Sequence, residues 1–409
     1  MLSSNRVYVL VMDLGISSSF WLVFVSFMTY VYEATHSIFL LSILIFIKNL
    51  ALTMVFLLLN YIDTKLYFRR IINTNYIILI FVTLLTIFTN STNNLVFIFI
   101  LFVIFEIVFM IHSILKYNLV IFIENRKVEL INLMYEISYS VFMILGAIYA
   151  IFLVNVSLAT YLLTLTLIAL SFLFFNRIGF INIHFDGSTM QYENRFENTF
   201  GKLIILLLLA DFMIALGENI AYILLPPIAN SYVFNSEQGL SISLLIFGIG
   251  SLIASALLLA YPKLILRNQL WILNFVIYSL FPVFLLLSII IESYSLLIFI
   301  MCNALAGFAN SFLMLFFTSL YQRIGREEFK RIYGIAYLLI SIAAGISTLV
   351  VGFAYESLGI YKTLLFSTIL LILALPILVS LNTHYRRLVL ADMDIKELKE
   401  EIYKGYFKI

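Results

Sequence analysis

The chain has 409 residues, of which 63% are hydrophobic and only 11% are charged, and its net charge is +2. Because a soluble chain of this length needs a larger polar surface, this composition excludes the soluble globular class and indicates a membrane protein. The single cysteine, Cys302, and four dispersed histidines make no disulfide framework or metal site, so no cofactor and no metal are expected.

Twelve stretches are apolar and long enough to cross a bilayer as helices, for which about 20 residues are needed. The first stretch is too long for the apolar region of a signal peptide and contains Asp13, so we predict a retained span. The fold class is therefore predicted as an all-α integral membrane protein with twelve transmembrane helices. Their expected limits are residues 7–31, 38–61, 73–90, 95–116, 131–154, 158–176, 202–229, 240–261, 270–291, 295–320, 332–355 and 361–381.

The basic residues lie on one side of these spans. Of the 24 Lys and Arg residues, only Lys362 lies at the outer side and only Lys48 lies deep within a span. Cytoplasmic loops of membrane proteins carry the excess of Lys and Arg, so both termini are predicted to be cytoplasmic. The expected location is the plasma membrane.

The spacing of the loops indicates two similar halves. The longest interior loop, residues 177–201, separates six spans from six spans, and the loops of the halves align at an offset of 200 residues. We predict pseudo-symmetric six-helix bundles over residues 1–176 and 202–381, joined by this cytoplasmic loop. Such parallel repeats place a binding site between the halves, near the middle of the membrane. Residues 382–409 are predicted to form a cytoplasmic amphipathic tail.

Two stretches resemble a known family. Residues 60–71, "NYIDTKLYFRRI", place an acidic residue before a basic cluster, and residues 321–366 contain a basic cluster followed by regularly spaced glycines. Together with the two halves, these stretches make the whole chain similar to the major facilitator superfamily, and in particular to its efflux-type, multidrug-like members. The subfamily stays open, because the Gly-Pro pair of drug–proton antiporters and the sugar-porter signatures are absent.

The resemblance implies a cytoplasmic gate motif between the second and third spans. Asp63 would supply its acidic position, and Glu136, near the cytoplasmic end of the fifth span, would belong to the same network. The match is degenerate, because Leu59 stands where the family has a glycine. The basic residues implied in this motif are Lys65, Arg69 and Arg70.

The resemblance also implies that spans 1, 4, 7 and 10 line a central cavity, whereas spans 3, 6, 9 and 12 face lipid. The latter four spans have no charged residue in their interiors. Ionisable groups inside a membrane face protein or water, so the polar residues of the former spans are candidates for a substrate and proton cavity. They are Asp13, Glu106, His112, Asp211, Glu218, Asn219, Asn303 and Asn310.

Helical spacing places Asp211 and Glu218 on one face of the seventh span, because seven residues are close to two turns. An unpaired buried carboxylate is strongly unfavourable, so each group is expected to bind a proton or find a partner. Glu218 is our candidate for the proton carrier, with a helix-packing role as the alternative. The same two interpretations apply to Glu106, and Asp211 is the candidate for holding an inner gate.

Three further features lie within or beside the spans. Lys48 is predicted to form an intramembrane ion pair with a cavity carboxylate, although its chain could also extend toward water. The aromatic residues Phe20, Trp21 and Phe24 could form an apolar or cation-attracting wall, or serve packing and lipid contact. His112 is either a pH-sensitive group or a polar residue satisfied by its neighbours.

The function predicted from these features is secondary active transport of a small molecule by alternating access. No phosphate-binding GxxxxGK[ST] sequence occurs, so ATP is not the driver, and no acidic DDxxD motif of a membrane enzyme is present. The cavity is net acidic, which favours proton coupling and a cationic or neutral substrate, and the resemblance to efflux-type members implies efflux.

The expected partners are the substrate, protons and the lipid bilayer, with no nucleic acid, and the protein is expected to be a monomer. Two alternatives remain open. One is a lipid-linked or polysaccharide flippase, and the other is a non-transporting membrane sensor on the same fold.

Overall fold

In the computed structural model, the residues described are 15–24, 27–28, 31, 35, 37–59, 64–89, 95–123, 128–152, 158–177, 197–234, 238–261, 264, 268–324 and 329–392. Asp13, Asp63 and the tail beyond residue 392 lie outside them, as does most of the predicted central loop. Throughout the described residues the regular structure is helical, without strands. Helices suit a membrane because they satisfy every backbone polar group within the segment.

The helices are numbered in chain order. They are α1 Gly15–Phe24, α2 Ile38–Leu59, α3 Thr64–Thr89, α4 Leu95–Ile123, α5 Val128–Phe152, α6 Leu158–Arg177, α7 Glu197–Pro227, α8 Gly239–Ala260, α9 Asn268–Ser279, α10 Phe281–Ile290, α11 Ser295–Ile324 and α12 Phe329–Asp392. A π-helical segment, Ile228–Val233, follows the paired prolines at the end of α7.

The helix boundaries differ from the predicted spans at two places. The 64-residue α12 contains both of the last two predicted spans, which join at Gly359. Gly359 has φ 77° and ψ 173°, a conformation that a residue without a Cβ adopts without strain. The predicted span 270–291 is divided into α9 and α10 at Leu280, and Pro282 lies in the first turn of the second helix.

Six helical segments among the described residues are long and apolar enough to cross a membrane. One of them, Gly334–Thr383, is 50 residues long and covers most of α12. Four shorter apolar helices lie in α1, α2, α4 and α6. The chain is therefore a multi-pass membrane protein, but this finding does not confirm the count of twelve spans.

The most extensive contacts between the two halves are those of α2 with α12 and of α5 with α8, and α5 also contacts α11. In the first pair, Gly352 of α12 lies against Phe39 and Ser42 of α2. In the second pair, Gln238 at the start of α8 donates a hydrogen bond of 3.0 Å to the backbone oxygen of Ile151 in α5. The absence of a side chain at Gly352 lets the helices approach closely.

Within the C-terminal half, α7 packs on α12 and α8 packs on α11, whereas α3 packs on α4 and α6 in the N-terminal half. The outward faces of α3, α6, α9 and α12 are apolar. Their side chains include Ile77, Phe81, Leu173, Leu273 and Ile369, each more than half exposed. In a membrane such surfaces contact lipid. Apolar side chains are equally exposed on α4 and α11, among them Val96 and Leu297, so the lipid-facing position of spans 3, 6, 9 and 12 stays a prediction.

The close contact between α8 and α11 should make Gly307→Ala destabilising. A methyl group at Gly307 would overlap the backbone oxygen of Phe247, and backbone moves less readily than a side chain. We expect a loss of about 1–3 kcal/mol, the usual effect of overpacking. Thermal unfolding in detergent would measure it. Gly345→Ala is the matched control, because its new Cβ would lie 3.4 Å from Phe46, at ordinary contact distance. Equal stability of the two variants would contradict the prediction.

Candidate substrate and proton site

The two carboxylates of α7 accept hydrogen bonds from tyrosines of the same half. The hydroxyl of Tyr278 in α9 donates to Glu218 Oε2 at 2.8 Å, and the Tyr222 hydroxyl lies 3.2 Å from that of Tyr278. The hydroxyl of Tyr321 in α11 donates to Asp211 Oδ2 at 2.5 Å. Both carboxylates are half-buried and within electrostatic range of each other.

This geometry gives Glu218 two properties that a proton carrier needs. Its carboxyl group is held in place by a donor, and it belongs to a chain of hydroxyls that runs from Tyr222 through Tyr278. Chains of hydrogen bonds of this kind can pass a proton from one group to the next. The hydrogen bond from Tyr321 ties Asp211 to α11, which suits a more static role.

Asn219 and Asn303, two of the asparagines predicted for the cavity, form hydrogen bonds within their own helix or with a neighbouring helix of the same half. Asn219 donates to the backbone oxygen of Ala215 in its own helix, at 2.7 Å. Asn303 is fully buried and accepts a hydrogen bond of 2.8 Å from Ser243 of α8, so it joins α8 to α11. Asn310 is half-buried on the same helix as Asn303. These contacts place Asn303 inside the C-terminal half rather than on an open surface.

Lys48 of α2 and Glu106 of α4 form an ion pair inside the N-terminal half. Lys48 Nζ lies 3.8 Å from Glu106 Oε1, with 14% of the lysine side chain and 3% of the glutamate side chain exposed. The distance exceeds that of a hydrogen bond, so the contact is one of charge. Lys48 Nζ also lies 5.7 Å from the ring centre of Phe24 in α1, which adds a cation–π contact.

An aromatic wall, defined here as Phe20, Trp21, Phe24, Phe102 and Phe109, joins α1 to α4. The rings of Phe20 and Phe109 are stacked with their centres 4.0 Å apart. The ring of Trp21 meets that of Tyr139 in α5 edge-on, at 5.2 Å. Phe20 and Phe24 are only half-buried, so part of this wall is accessible. Its Phe24 ring is the one that Lys48 contacts, so the wall lies beside the Lys48–Glu106 pair.

Tyr139 of α5 lies near ionisable side chains of both halves. It lies within electrostatic range of Glu106 of α4, Glu136 of its own helix, Tyr222 of α7 and Tyr337 of α12. The sequence reasoning missed Tyr139, Tyr222 and Tyr278. Nothing in their local sequence distinguishes them, because many of the chain's 25 tyrosines also lie in apolar segments.

Glu136 of α5 takes part in a connection between the halves. Ser311 of α11 donates to Glu136 Oε1 at 2.9 Å. The hydroxyl of Ser251 in α8 contacts those of both Ser140 in α5 and Ser311, each at 2.5 Å. The three hydroxyls and the carboxylate thus join α5, α8 and α11 by side-chain contacts. The sequence reasoning expected Glu136 in the gate motif, but its serine partners were not foreseen.

The remaining predicted site residues are placed as follows. His112 is buried with its ring 5.8 Å from that of Tyr76 in α3. Arg70 is exposed on α3, and Lys65 and Arg69 belong to the same helix. Among the described residues, no group of three or more His, Cys, Asp or Glu side chains could hold a metal ion.

Comparison with known proteins yields a structural relative only. No model of a known protein family matches the chain, and no curated protein matches it. The crystal structure of a point mutant of the nucleoside transporter NupG superposes with a TM-score of 0.65 at 11% sequence identity. The match covers 92% of this chain and 100% of that chain, which excludes a likeness limited to a few helices. The chain therefore has the same fold as that solved protein.

Proposed function

We propose that the protein is a secondary transporter that moves a small molecule across the membrane by alternating access. The observation that carries this proposal is the match in fold to NupG over 92% of the chain. The two halves contact each other mainly through α2–α12 and α5–α8, and these helix pairs could serve as the surfaces about which the halves move. Rocking of the halves around a central site is the mechanism expected for such repeats.

Proton coupling through Glu218 is the second part of the proposal. The carboxyl group is the terminal acceptor of the Tyr222–Tyr278 hydroxyl chain within a membrane-spanning helix. A carboxyl group inside the protein can bind a proton when it is buried and release it when it becomes exposed to water. Movement of α7 relative to α9 would supply that change.

A neutral substrate with a flat ring is the third part of the proposal. The aromatic wall offers ring faces for stacking, and the neighbouring Lys48–Glu106 pair offers both signs of charge. A nucleoside is the first compound class to test, because the solved protein of the same fold is named a nucleoside transporter. The cationic compounds expected from the sequence are the second class.

The export direction is carried over from the sequence resemblance, and it predicts antiport of substrate against protons. The test is uptake of labelled uridine into proteoliposomes under a pH gradient of either sign. Antiport should give saturable uptake only when the lumen is more acidic than the outside, and an ionophore that collapses the gradient should abolish it.

Each other outcome has a distinct meaning. Uptake driven only by an acidic exterior would overturn the export direction, and uptake insensitive to the gradient would overturn proton coupling. The absence of saturable flux for uridine and for a panel of neutral and cationic compounds would overturn transport itself. That last result would favour the sensor or flippase alternatives.

A further inference from the structure

We propose that Glu136 is a proton-binding site separate from Glu218, and that the contact made by Glu136 between the two halves requires its proton. The site consists of the Glu136 carboxyl group and the hydroxyl groups of Ser140, Ser251 and Ser311, here called the serine cluster. The inference rests on the proposed function, because it adds a second proton to alternating access.

The serine cluster contains four close contacts between oxygen atoms. The Ser140 hydroxyl lies 2.8 Å from the backbone oxygen of Glu136, and the Ser251 hydroxyl lies 2.5 Å from those of both Ser140 and Ser311. The Ser311 hydroxyl lies 2.9 Å from Glu136 Oε1. All four distances are those of hydrogen bonds, and the three serines are buried. Each contact therefore needs one hydrogen atom between its two oxygens.

The serine cluster has fewer hydrogen atoms than contacts when Glu136 is ionised. Each hydroxyl supplies one hydrogen, whereas a backbone oxygen and an ionised carboxylate supply none. Ser140 then donates to the backbone oxygen of Glu136, and Ser311 donates to its carboxylate. Ser251 has one hydrogen for two neighbours at 2.5 Å, so one of these contacts has no hydrogen of its own. A buried contact of that kind is unfavourable, and sharing one hydrogen would not fit two distances at the short end of the range.

A proton on Glu136 supplies the missing hydrogen. The carboxyl group can then donate to Ser311, Ser311 to Ser251, Ser251 to Ser140, and Ser140 to the backbone oxygen of Glu136. Every contact has one hydrogen, and every donor has one acceptor. Consecutive hydrogen bonds also polarise and strengthen one another inside a protein. The geometry of the serine cluster is therefore satisfied by the protonated form of Glu136.

The serine cluster joins the two halves of the protein. Glu136 and Ser140 belong to α5, whereas Ser251 and Ser311 belong to α8 and α11 of the other half. Separation of the halves here would break the contacts that cross between them, and Glu136 would face water, where a glutamate is ionised at neutral pH. Joining the halves should therefore bind one proton, and separating them should release it.

Other ionisable groups lie on the helices around Glu136. Tyr139 of the same helix is within electrostatic range of it, and α8 contains no ionisable side chain. The other helices that pack on α5 are α4 and α11. Their ionisable side chains within the described part of the chain are Glu106, His112, Cys302 and Tyr321. The titration of these groups must be separated from that of Glu136, so each experiment below compares the unaltered protein with a variant of the serine cluster.

The first experiment observes the proton on Glu136. A protonated carboxyl group absorbs in the infrared apart from an ionised one, so the purified protein can be measured without substrate. At neutral pH, the difference spectrum between the unaltered protein and Glu136→Gln should contain one protonated-carboxyl band. Glu356→Gln is the control, because Glu356 is exposed on α12, and its difference spectrum should lack this band. Absence of the band for Glu136→Gln would overturn the site.

A matched pair of serine variants tests the hydrogen count. Ser251→Ala removes the hydroxyl with two contacts, and the two contacts that remain each have their own hydrogen from Ser140 or Ser311. Glu136 then no longer needs its proton, so its infrared band should be lost at neutral pH. Ser255→Ala is the control, because the Ser255 hydroxyl is buried one turn away on α8 and has no hydrogen-bond partner among the described residues. An unchanged band in Ser251→Ala would refute the count.

The second experiment measures the contact between α5 and α8. A Cβ on Gly248 would lie 2.8 Å from Cγ1 of Ile144, about one turn from the serine cluster, so Ile144→Cys/Gly248→Cys places two thiols within reach of a disulfide. Cys302→Ser removes the only native cysteine. The rate of disulfide formation with a membrane-permeable oxidant is measured against pH, with and without Glu136→Gln.

The rate with Glu136 divided by the rate in Glu136→Gln removes the pH dependence of thiol oxidation itself. Glutamine keeps an N–H that can donate to Ser311 at any pH, whereas Glu136 loses its hydrogen as the pH rises. The ratio should therefore fall with rising pH, by at most about tenfold per pH unit, the limit for one proton.

A ratio that does not change with pH would overturn the link between the proton and the contact. Neither experiment involves substrate or flux, so both are separable from a test of the proposed function. Gradient-driven flux in the proteoliposome assay would uphold transport even if the serine cluster bound no proton.

Discussion

Glu218→Gln is expected to abolish transport driven by a pH gradient while leaving the protein folded. Glutamine has nearly the same shape and can still accept the hydrogen bond from Tyr278, but it carries no exchangeable acidic proton. The loss should therefore appear in gradient-driven flux and not in stability. The measurement is uptake of labelled uridine into proteoliposomes, beside thermal unfolding of the same preparation. Substrate exchange without a gradient should persist.

The matched control for this prediction is Glu356→Gln, which makes the same chemical change at an exposed position of α12. It should transport as the unaltered protein does. Tyr278→Phe removes the donor from Glu218 and the link to Tyr222, and it should lower the gradient-driven rate without abolishing it. Full gradient-driven flux in Glu218→Gln would refute the assignment of the proton carrier.

Lys48→Met is expected to destabilise the protein by about 3–5 kcal/mol, the usual effect of removing one partner from a buried ion pair. The remaining carboxylate of Glu106 is 3% exposed and its Oε1 has no hydrogen-bond donor among the described residues, so its charge would be left uncompensated. The double variant Lys48→Met/Glu106→Leu should recover most of this loss, because it removes both charges. Chemical unfolding in mixed micelles would measure all three proteins.

Lys362→Met serves as the control for the lysine, since Lys362 is exposed on α12 and forms no ion pair among the described residues. It should change stability by less than about 1 kcal/mol, as is usual for an exposed charge. A double variant as unstable as Lys48→Met alone would show that packing, and not charge, accounts for the effect.

Helical periodicity was sufficient to relate Asp211 to Glu218, because residues seven apart share a face in any straight helix. It did not reveal what that face contacts. The ninth predicted span was expected to face lipid, yet its Tyr278 reaches Glu218 from the inner side of α9. A helix at the edge of a bundle has both a lipid face and a protein face, and the sequence around one tyrosine does not distinguish them.

For the Lys48–Glu106 pair, too, the sequence predicted the kind of contact, and the helix packing decided the partner. A lysine in the middle of an apolar span indicates an anionic partner by energetics alone. Several carboxylates were available in the predicted cavity spans, and the choice of Glu106 depends on how α2 and α4 are rotated against each other. The link from Glu136 to Ser311 is also a consequence of helix packing, here between α5 and α11.

By itself the sequence determined that this is a multi-pass helical membrane protein with its polar residues concentrated in particular spans. Hydrophobicity and helical period are local properties, so they can be read from neighbouring residues. Only the tertiary structure decided which side chains meet, where α12 bends at Gly359, and that the fold is that of NupG despite 11% identity. Those features arise from contacts between distant segments, for which an apolar sequence carries little distinguishing information.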